Sequence, residues 1–128
     1  MKDQLNKVDH FHKVFNVGEA PNSPTLLTKK EQLLRYNLMV EENREYLDAC
    51  KEGDLVEIAD ALGDQLYVLI GSILRHGLKH KIVEVFNEIH DSNMSKLDAN
   101  GKPIFREDGK ILKGDNYFKP NLKDILNV

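Results

Sequence analysis

The 128-residue chain is long enough for one domain with its own hydrophobic core, and its net charge of −3 does not favour a nucleic-acid polymer or an acidic membrane as partner. The single Cys50 excludes an internal disulfide. The first residues lack the apolar stretch of a signal peptide, and no apolar run reaches membrane-spanning length. These features predict a cytoplasmic protein that meets any anionic ligand through local groups.

Two helices are predicted in the first half of the chain. Apolar residues recur at spacings of three to four over the first helix, which fades near residues 17–18: Leu5, Val8, Phe11 and Phe15. A loop containing Pro21 and Pro24 follows. Thr28 and Glu31 have the spacing of a capping box, so we expect the second helix to begin at Thr28 and to last until Gly53.

A third and a fourth helix are predicted next. Asp54 and Glu57 repeat the capping arrangement, and the third helix should end at His76 with Gly77 as a left-handed cap. In the fourth helix one stripe should face the core: Ile82, Phe86, Ile89 and Asn93. Lys96 follows three residues after Asn93, which predicts that both polar groups lie on this same face.

The last thirty residues have a different character. Asn100-Gly101 and Asp108-Gly109 are turn dipeptides, and the second of them separates two short apolar pairs. We therefore predict a small β-hairpin followed by an extended arm. The whole chain is interpreted as one all-α domain over 1–128, a bundle of four to five helices, with a helical core over about 1–97 and the hairpin and arm over about 98–128.

Three acids of the second helix lie close together. Glu41 and Glu45 are four residues apart, and Glu42 and Glu45 are three apart, which places their Cβ atoms about 5 to 6 Å from one another. Like charges at this spacing repel. A solvated, glutamate-rich helix face explains the pattern as well as a ligand site does, so this helix leaves both interpretations open.

The third helix favours a ligand site more strongly. Glu57, Asp60 and Asp64 form a ladder at spacings of three and four, and apolar residues cover almost every other direction of the helix. We expect these carboxylates to lie wholly or partly out of water, where an unpaired charge is costly. Glu57 has an alternative role as the capping acid, and Asp64 is either a ligand or a residue that makes an ordinary hydrogen bond in the core.

The tight turn at Gly53 predicts that the two acidic helices are antiparallel neighbours. On this basis the acids from Glu42 to Glu45 should lie within reach of those from Glu57 to Asp60. Four or five oxygen ligands without His or Cys suit Mg²⁺ or Mn²⁺ and argue against zinc. The number of acids allows one ion, a binuclear pair or more ions.

These residues resemble the MazG-type, all-α NTP pyrophosphohydrolase superfamily, whose signature is E-x-x-E followed by E-x-x-D on paired helices. The resemblance extends downstream to 92–96, 101–103, 106–110 and 113–114, so it covers nearly the whole chain. It implies four metal ligands, which are Glu42, Glu45, Glu57 and Asp60. Glu41 is implied as a further ligand or as the base that orients the attacking water, so the candidates for catalytic groups are Glu41, Glu42 and Glu45.

The resemblance also implies residues that bind the nucleotide. Asn93 and Lys96 match family positions near the substrate, and Lys113 with Tyr117 would close over the phosphates from the C-terminal arm. An exposed hairpin position is an equally good explanation for Lys113. We do not expect a chelating histidine pair, because His10 and His12 are two residues apart and point to different sides of a helix.

The implied function is Mg²⁺-dependent hydrolysis of a nucleoside triphosphate between the α and β phosphates, in nucleotide-pool house-cleaning, with dUTP or a related pyrimidine deoxynucleotide favoured. One alternative is phosphoribosyl-ATP as the substrate. Another, from a different class, is a non-catalytic helical module that binds nucleotide or a protein partner. The apolar third helix and the projecting arm predict a homodimer, and whether two such dimers pair into a tetramer stays open.

Overall fold

The computed structural model describes residues 1–128 and contains five helices and one two-stranded sheet: α1 (Lys2–Val14), α2 (Lys29–Glu52), α3 (Leu55–Arg75), α4 (Ile82–Met94), β1 (Ile104–Phe105), β2 (Ile111–Leu112) and α5 (Leu122–Leu126). The prediction of an all-α fold with a short C-terminal hairpin is confirmed. Helix α5 lies in the segment that we expected to be extended. By length and hydropathy, none of the helices could cross a membrane.

Local capping groups fix the ends of α2 and α3. The Thr28 hydroxyl accepts a hydrogen bond from the Glu31 amide at 3.2 Å, and the Asp54 carboxylate accepts from the amides of Val56 and Glu57. Gly53 ends α2 in the left-handed conformation at φ 67°, which favours glycine. Only half of the predicted capping box at Thr28 forms, because the Glu31 carboxylate accepts hydrogen bonds from Arg75 instead.

The chain divides into two compact units, Met1–His80 and Lys81–Val128. In the first unit, α1 and α2 both pack on α3, and the contact between α2 and α3 is the more extensive. In the second unit, α4 packs on α5, and β1 pairs with β2 antiparallel. Helix α4 thus belongs to the same unit as the hairpin, whereas the sequence had grouped it with the preceding helices. The single-domain interpretation stays a prediction.

A buried polar junction holds the three helices of the first unit together. Arg35, on α2, is 8% exposed and donates hydrogen bonds to the Ser72 hydroxyl at 3.0 Å and the Val68 carbonyl at 2.7 Å, both on α3. His12, on α1, is buried beside the same turn. A side chain at Gly71 would collide with the Arg35 guanidinium and press on the His12 ring, so it would displace the group that makes these hydrogen bonds.

In the second unit, serine hydroxyls anchor the C-terminal segment. The Ser92 hydroxyl donates to the Phe118 carbonyl at 2.8 Å, and the Ser95 hydroxyl accepts from the Phe118 amide at 3.1 Å. Ser92 is the buried residue of α4. The core stripe predicted on α4 is wrong, since Phe86 is 67% exposed and Asn93 is exposed as well.

Candidate metal centre

The antiparallel register of α2 and α3 decides which acids meet. Glu31 bonds Arg75, Arg35 bonds Ser72, and the Asn43 side-chain oxygen accepts a hydrogen bond from the Gln65 side-chain nitrogen at 3.0 Å. Each pair is nearly equidistant from the turn at Gly53. By the same rule a residue eleven before the turn should face one about eleven after it, which places Glu42 opposite 64–65 rather than opposite Glu57.

The acids that meet most closely are Glu42 and Glu45 of α2 and Asp64 of α3. One carboxylate oxygen from each lies within 4.8 Å of the others. Glu42 and Glu45 were predicted as ligands. For Asp64 the sequence left both a ligand role and a structural role open, and in the structure its carboxylate lies beside those of Glu42 and Glu45.

Glu57 and Asp60 lie in an adjoining cavity of about 280 Å³. Its lining residues come from both helices: Glu45, Asp48, Ala49, Glu52, Glu57, Asp60 and Ala61. Glu45 belongs to both the cavity and the group of three acids, so the two sets form one continuous acidic surface. Asp48 and Glu52 extend this surface toward the turn, and the sequence interpretation had not selected either of them.

The acids of α3 are more accessible than we expected. Glu57, Asp60 and Asp64 are all exposed in the chain, although apolar residues surround them in the sequence. The expectation that this ladder lies out of water is therefore wrong for the single chain. The reason is that α1 and α2 cover only part of the α3 surface, and leave Leu55 and Val56 more than three-quarters exposed.

Glu42 is the acid with the most perturbed environment. It is half-buried, and its Oε2 atom is inaccessible and has no hydrogen-bond partner. Burial, followed by repulsion from the Glu45 and Asp64 carboxylates, raises the pKa of Glu42 above its ordinary value. No ion pair in the structure includes any of these three acids. A cation would reduce the repulsion between the carboxylates and would give the unpartnered oxygen a partner.

The donor set fits a hard divalent cation. All candidate ligands are carboxylate oxygens, the type that Mg²⁺ prefers, and no His or Cys belongs to the group. Oxygen ligands on opposite sides of Mg²⁺ are about 4 Å apart. The three carboxylates are thus close to ligand spacing, and open solvent on the cavity side leaves room for water or phosphate.

The predicted nucleotide-binding residues all lie in the second unit. Helix α4 ends at Met94, so Lys96 lies in the following turn and does not continue the helical face of Asn93. The Gly114 amide donates to the Lys96 carbonyl at 2.9 Å, which brings the two segments together. The Lys113 ammonium lies 4.6 Å from the centre of the Tyr117 ring, in a cation–π contact.

The chain is similar to a known protein family, to a viral protein and to a solved structure. A family model described as phosphoribosyl-ATP pyrophosphohydrolase matches residues 8–93, a segment that contains all the acids discussed above. An uncharacterized protein of Acanthamoeba polyphaga mimivirus is 33% identical over 95 residues, which are 74% of this chain and 34% of the viral protein, so the chain spans about a third of that relative. A protein from Exiguobacterium sp. 255-15, provisionally named an NTP pyrophosphohydrolase, has a crystal structure that is 25% identical, with a TM-score of 0.48 and coverage of 95% of this chain and 90% of that chain.

Proposed function

Because the chain belongs to the phosphoribosyl-ATP pyrophosphohydrolase family, we propose that it hydrolyses a nucleoside triphosphate between the α and β phosphates with the help of Mg²⁺. The products would be the nucleoside monophosphate and pyrophosphate. The observation that carries the proposal is the convergence of Glu42, Glu45 and Asp64 on one spot without a basic partner.

The residues that would hold the metal are Glu42, Glu45 and Asp64, with Glu57 and Asp60 on the adjoining cavity wall. The chemistry that Mg²⁺ or Mn²⁺ supplies at such a site is a lowered pKa of bound water and compensation of charge on the phosphate oxygens. The two connected sets of acids leave space for more than one ion. Asp64 joins the ligand set proposed from the sequence, and no residue leaves it.

The chain's own groups would position the reactants. Glu41 is exposed on α2, one turn before Glu45, and would orient the attacking water through a hydrogen bond. Lys96 and Lys113 would neutralise phosphate charge, while Asn93 and Tyr117 would contact the rest of the nucleotide. The cation–π contact already holds the Lys113 ammonium in place, which lowers the entropic cost of binding a phosphate.

Two substrate classes follow from different observations. A pyrimidine deoxynucleotide such as dUTP, in nucleotide-pool house-cleaning, is our leading choice from the resemblance of the acid motifs and downstream segments. Phosphoribosyl-ATP is the second candidate, favoured by the description of the matching family. A non-catalytic binding module has less support, because it would gain nothing from like charges held within 4.8 Å.

We also propose a homodimer in the cytoplasm, with a tetramer made of two such dimers as an alternative. Exposed apolar residues of α3 support association, because a large uncovered apolar area is unusual on a monomeric protein. These residues are Leu55, Val56, Leu62, Leu66 and Leu69.

The deciding experiment follows pyrophosphate release from a panel of dUTP, dCTP, ATP and phosphoribosyl-ATP, with Mg²⁺, with Mn²⁺ and with chelator. We expect cleavage that requires the metal and favours one substrate class. Glu45→Gln should lose at least about 100-fold in kcat/KM, because it removes a charged ligand shared by both sets of acids.

The matched control is Glu107→Gln, which makes the same chemical change in the exposed hairpin turn. This variant should keep the wild-type rate. If no triphosphate in the panel is cleaved, or if folded Glu45→Gln keeps the wild-type rate and metal dependence, the proposal fails.

A further inference from the structure

Three aromatic side chains form an exposed cluster at the junction of α1 and α3. Phe11 stacks on Phe15 with ring centres 4.4 Å apart, and meets Tyr67 edge to face at 5.5 Å. The exposed fractions are 37% for Phe11, 64% for Phe15 and 40% for Tyr67. We call these three residues the aromatic cluster. Large aromatic side chains usually bury most of their surface, so a cluster that leaves this much uncovered calls for an occupant.

The aromatic cluster lies next to the acidic surface. Tyr67 follows Asp64 by three residues on α3, so the two side chains are neighbours on one helix face, with Cβ atoms about 5 to 6 Å apart. Asp9 of α1 bonds Lys79 just after α3, whereas Phe11 contacts Tyr67 further back. Helix α1 therefore runs antiparallel to α3, and residues after Phe11, such as Phe15, extend toward the turn that carries Asp64.

The cluster is also separate from the exposed leucines of α3 that would suit a second copy. Tyr67 lies on the side of α3 that carries Asp60 and Asp64, while Leu62 and Leu69 lie about half a turn away around the helix. Behind the cluster, the Arg35 and His12 side chains meet over Gly71 and close this side of the helix pair. An occupant of the cluster would thus lie beside Asp64 on the same helix face.

We propose that Phe11, Phe15 and Tyr67 form the platform on which the base of the nucleotide substrate stacks. A flat aromatic base is the part of a nucleoside triphosphate that matches exposed rings, and its phosphates would then extend to the metal held by Glu42, Glu45 and Asp64. Every base has a face that can stack, so the cluster supplies affinity rather than choice between bases. The inference rests on the proposed function and identifies how that site would hold the non-reacting end of its substrate.

The test compares Phe15→Ala with Phe15→Tyr, which keeps an aromatic ring. For the best nucleotide of the panel, Phe15→Ala should raise KM by about five- to 150-fold, the range measured for loss of one stacking partner. Phe15→Tyr should restore KM to within about two-fold of wild type. Inhibition by inorganic tripolyphosphate, which has no base, should keep the same inhibition constant in all three proteins.

The matched control is Phe86→Ala, because Phe86 is an equally exposed phenylalanine outside the cluster. It should leave KM unchanged. The platform is ruled out if Phe15→Ala keeps the wild-type KM. It is also ruled out if the substitution raises the inhibition constant of tripolyphosphate by the same factor as the KM of the nucleotide. A change of oligomeric state of Phe15→Ala in sedimentation would also overturn it, and would make the cluster an interface between copies. A wild-type protein that cleaves no nucleotide would instead refute the proposed function, and the platform with it.

Discussion

The two ends of the α2–α3 helix pair differ in whether their charged side chains have partners. At the end near Gly71, every buried charge has a partner: the Arg75 guanidinium bonds the Glu31 carboxylate at 2.5 Å, and Arg35 donates to two acceptors on α3. At the other end, Glu42, Glu45 and Asp64 converge without any basic residue. Paired charges of the first kind stabilise a fold, whereas converging like charges destabilise it. The first end holds the helices together, whereas the second carries a charge repulsion that the proposed cation would relieve.

The largest expected effect separates activity from stability at the acidic end. Asp64→Asn should lower kcat/KM at least about 100-fold. In the presence of a chelator, the free energy of unfolding of this variant should be unchanged or higher by about a few tenths of a kcal/mol. The reason is that the substitution removes the repulsion between this carboxylate and its acidic neighbours. Urea unfolding and pyrophosphate release measure the two quantities. A loss of more than about 1 kcal/mol in stability would mean that Asp64 is a structural residue.

The next effect concerns the close approach at the paired end. Gly71→Ala should lower the free energy of unfolding by about 1 to 3 kcal/mol, because the new methyl group collides with the Arg35 guanidinium. Gly63→Ala is a matched control on the same helix, since nothing lies within 4 Å of its added methyl group. That control should gain up to about 1 kcal/mol from helix propensity. Equal effects of the two changes in urea unfolding would contradict the tight packing at Gly71.

A smaller loss is expected when the ion pair at this end is broken. Glu31→Gln should cost about 1 kcal/mol, since it removes the charge that the part-buried Arg75 faces. The Arg75 guanidinium holds the pKa of Glu31 below its usual value, so the stabilisation is present above pH 4.5 and is lost as the pH falls through the lower folded-state pKa. Glu41→Gln, an unpaired acid of the same helix, is the control and should be neutral. Thermal unfolding at pH 7 and at pH 3 checks both statements.

The smallest effect near neutral pH comes from His12. Its burial, followed by the nearby Arg35 and Arg75 charges, lowers the pKa of His12 below 6.5. The unfolded chain therefore takes up a proton first as the pH falls below 6.5, and stability declines with a slope of at most about 1.4 kcal/mol per pH unit. In unfolding experiments between pH 7 and pH 5, His12→Gln should remove this slope. His10→Gln, in which an exposed histidine is replaced, should keep it; the reverse result would assign the slope to another group.

Much of the candidate site was predictable, and the limits have a physical cause. Counting outward from Gly53 predicts that the acids from Glu42 to Glu45 approach those of α3, and Glu45 does line one cavity with Glu57 and Asp60. Such counting does not say how closely side-chain oxygens approach, so the meeting of Asp64 with Glu42 and Glu45 came from the structure. The Arg35, His12 and Gly71 junction had no comparable signal, because its members are 23 to 59 residues apart along the chain and no motif connects them.

The sequence by itself determined the elements whose signals are local. The caps at Thr28, Asp54, Gly53 and Gly77 and the turn at Asp108-Gly109 depend on hydrogen bonds or backbone conformations within a few residues, so the chemistry of those residues suffices. Only the tertiary structure decided which carboxylates converge, which face of α3 stays uncovered, and where Phe11 and Tyr67 meet. These features depend on how helices pack against one another, and many different packings satisfy the same local pattern of apolar and polar residues.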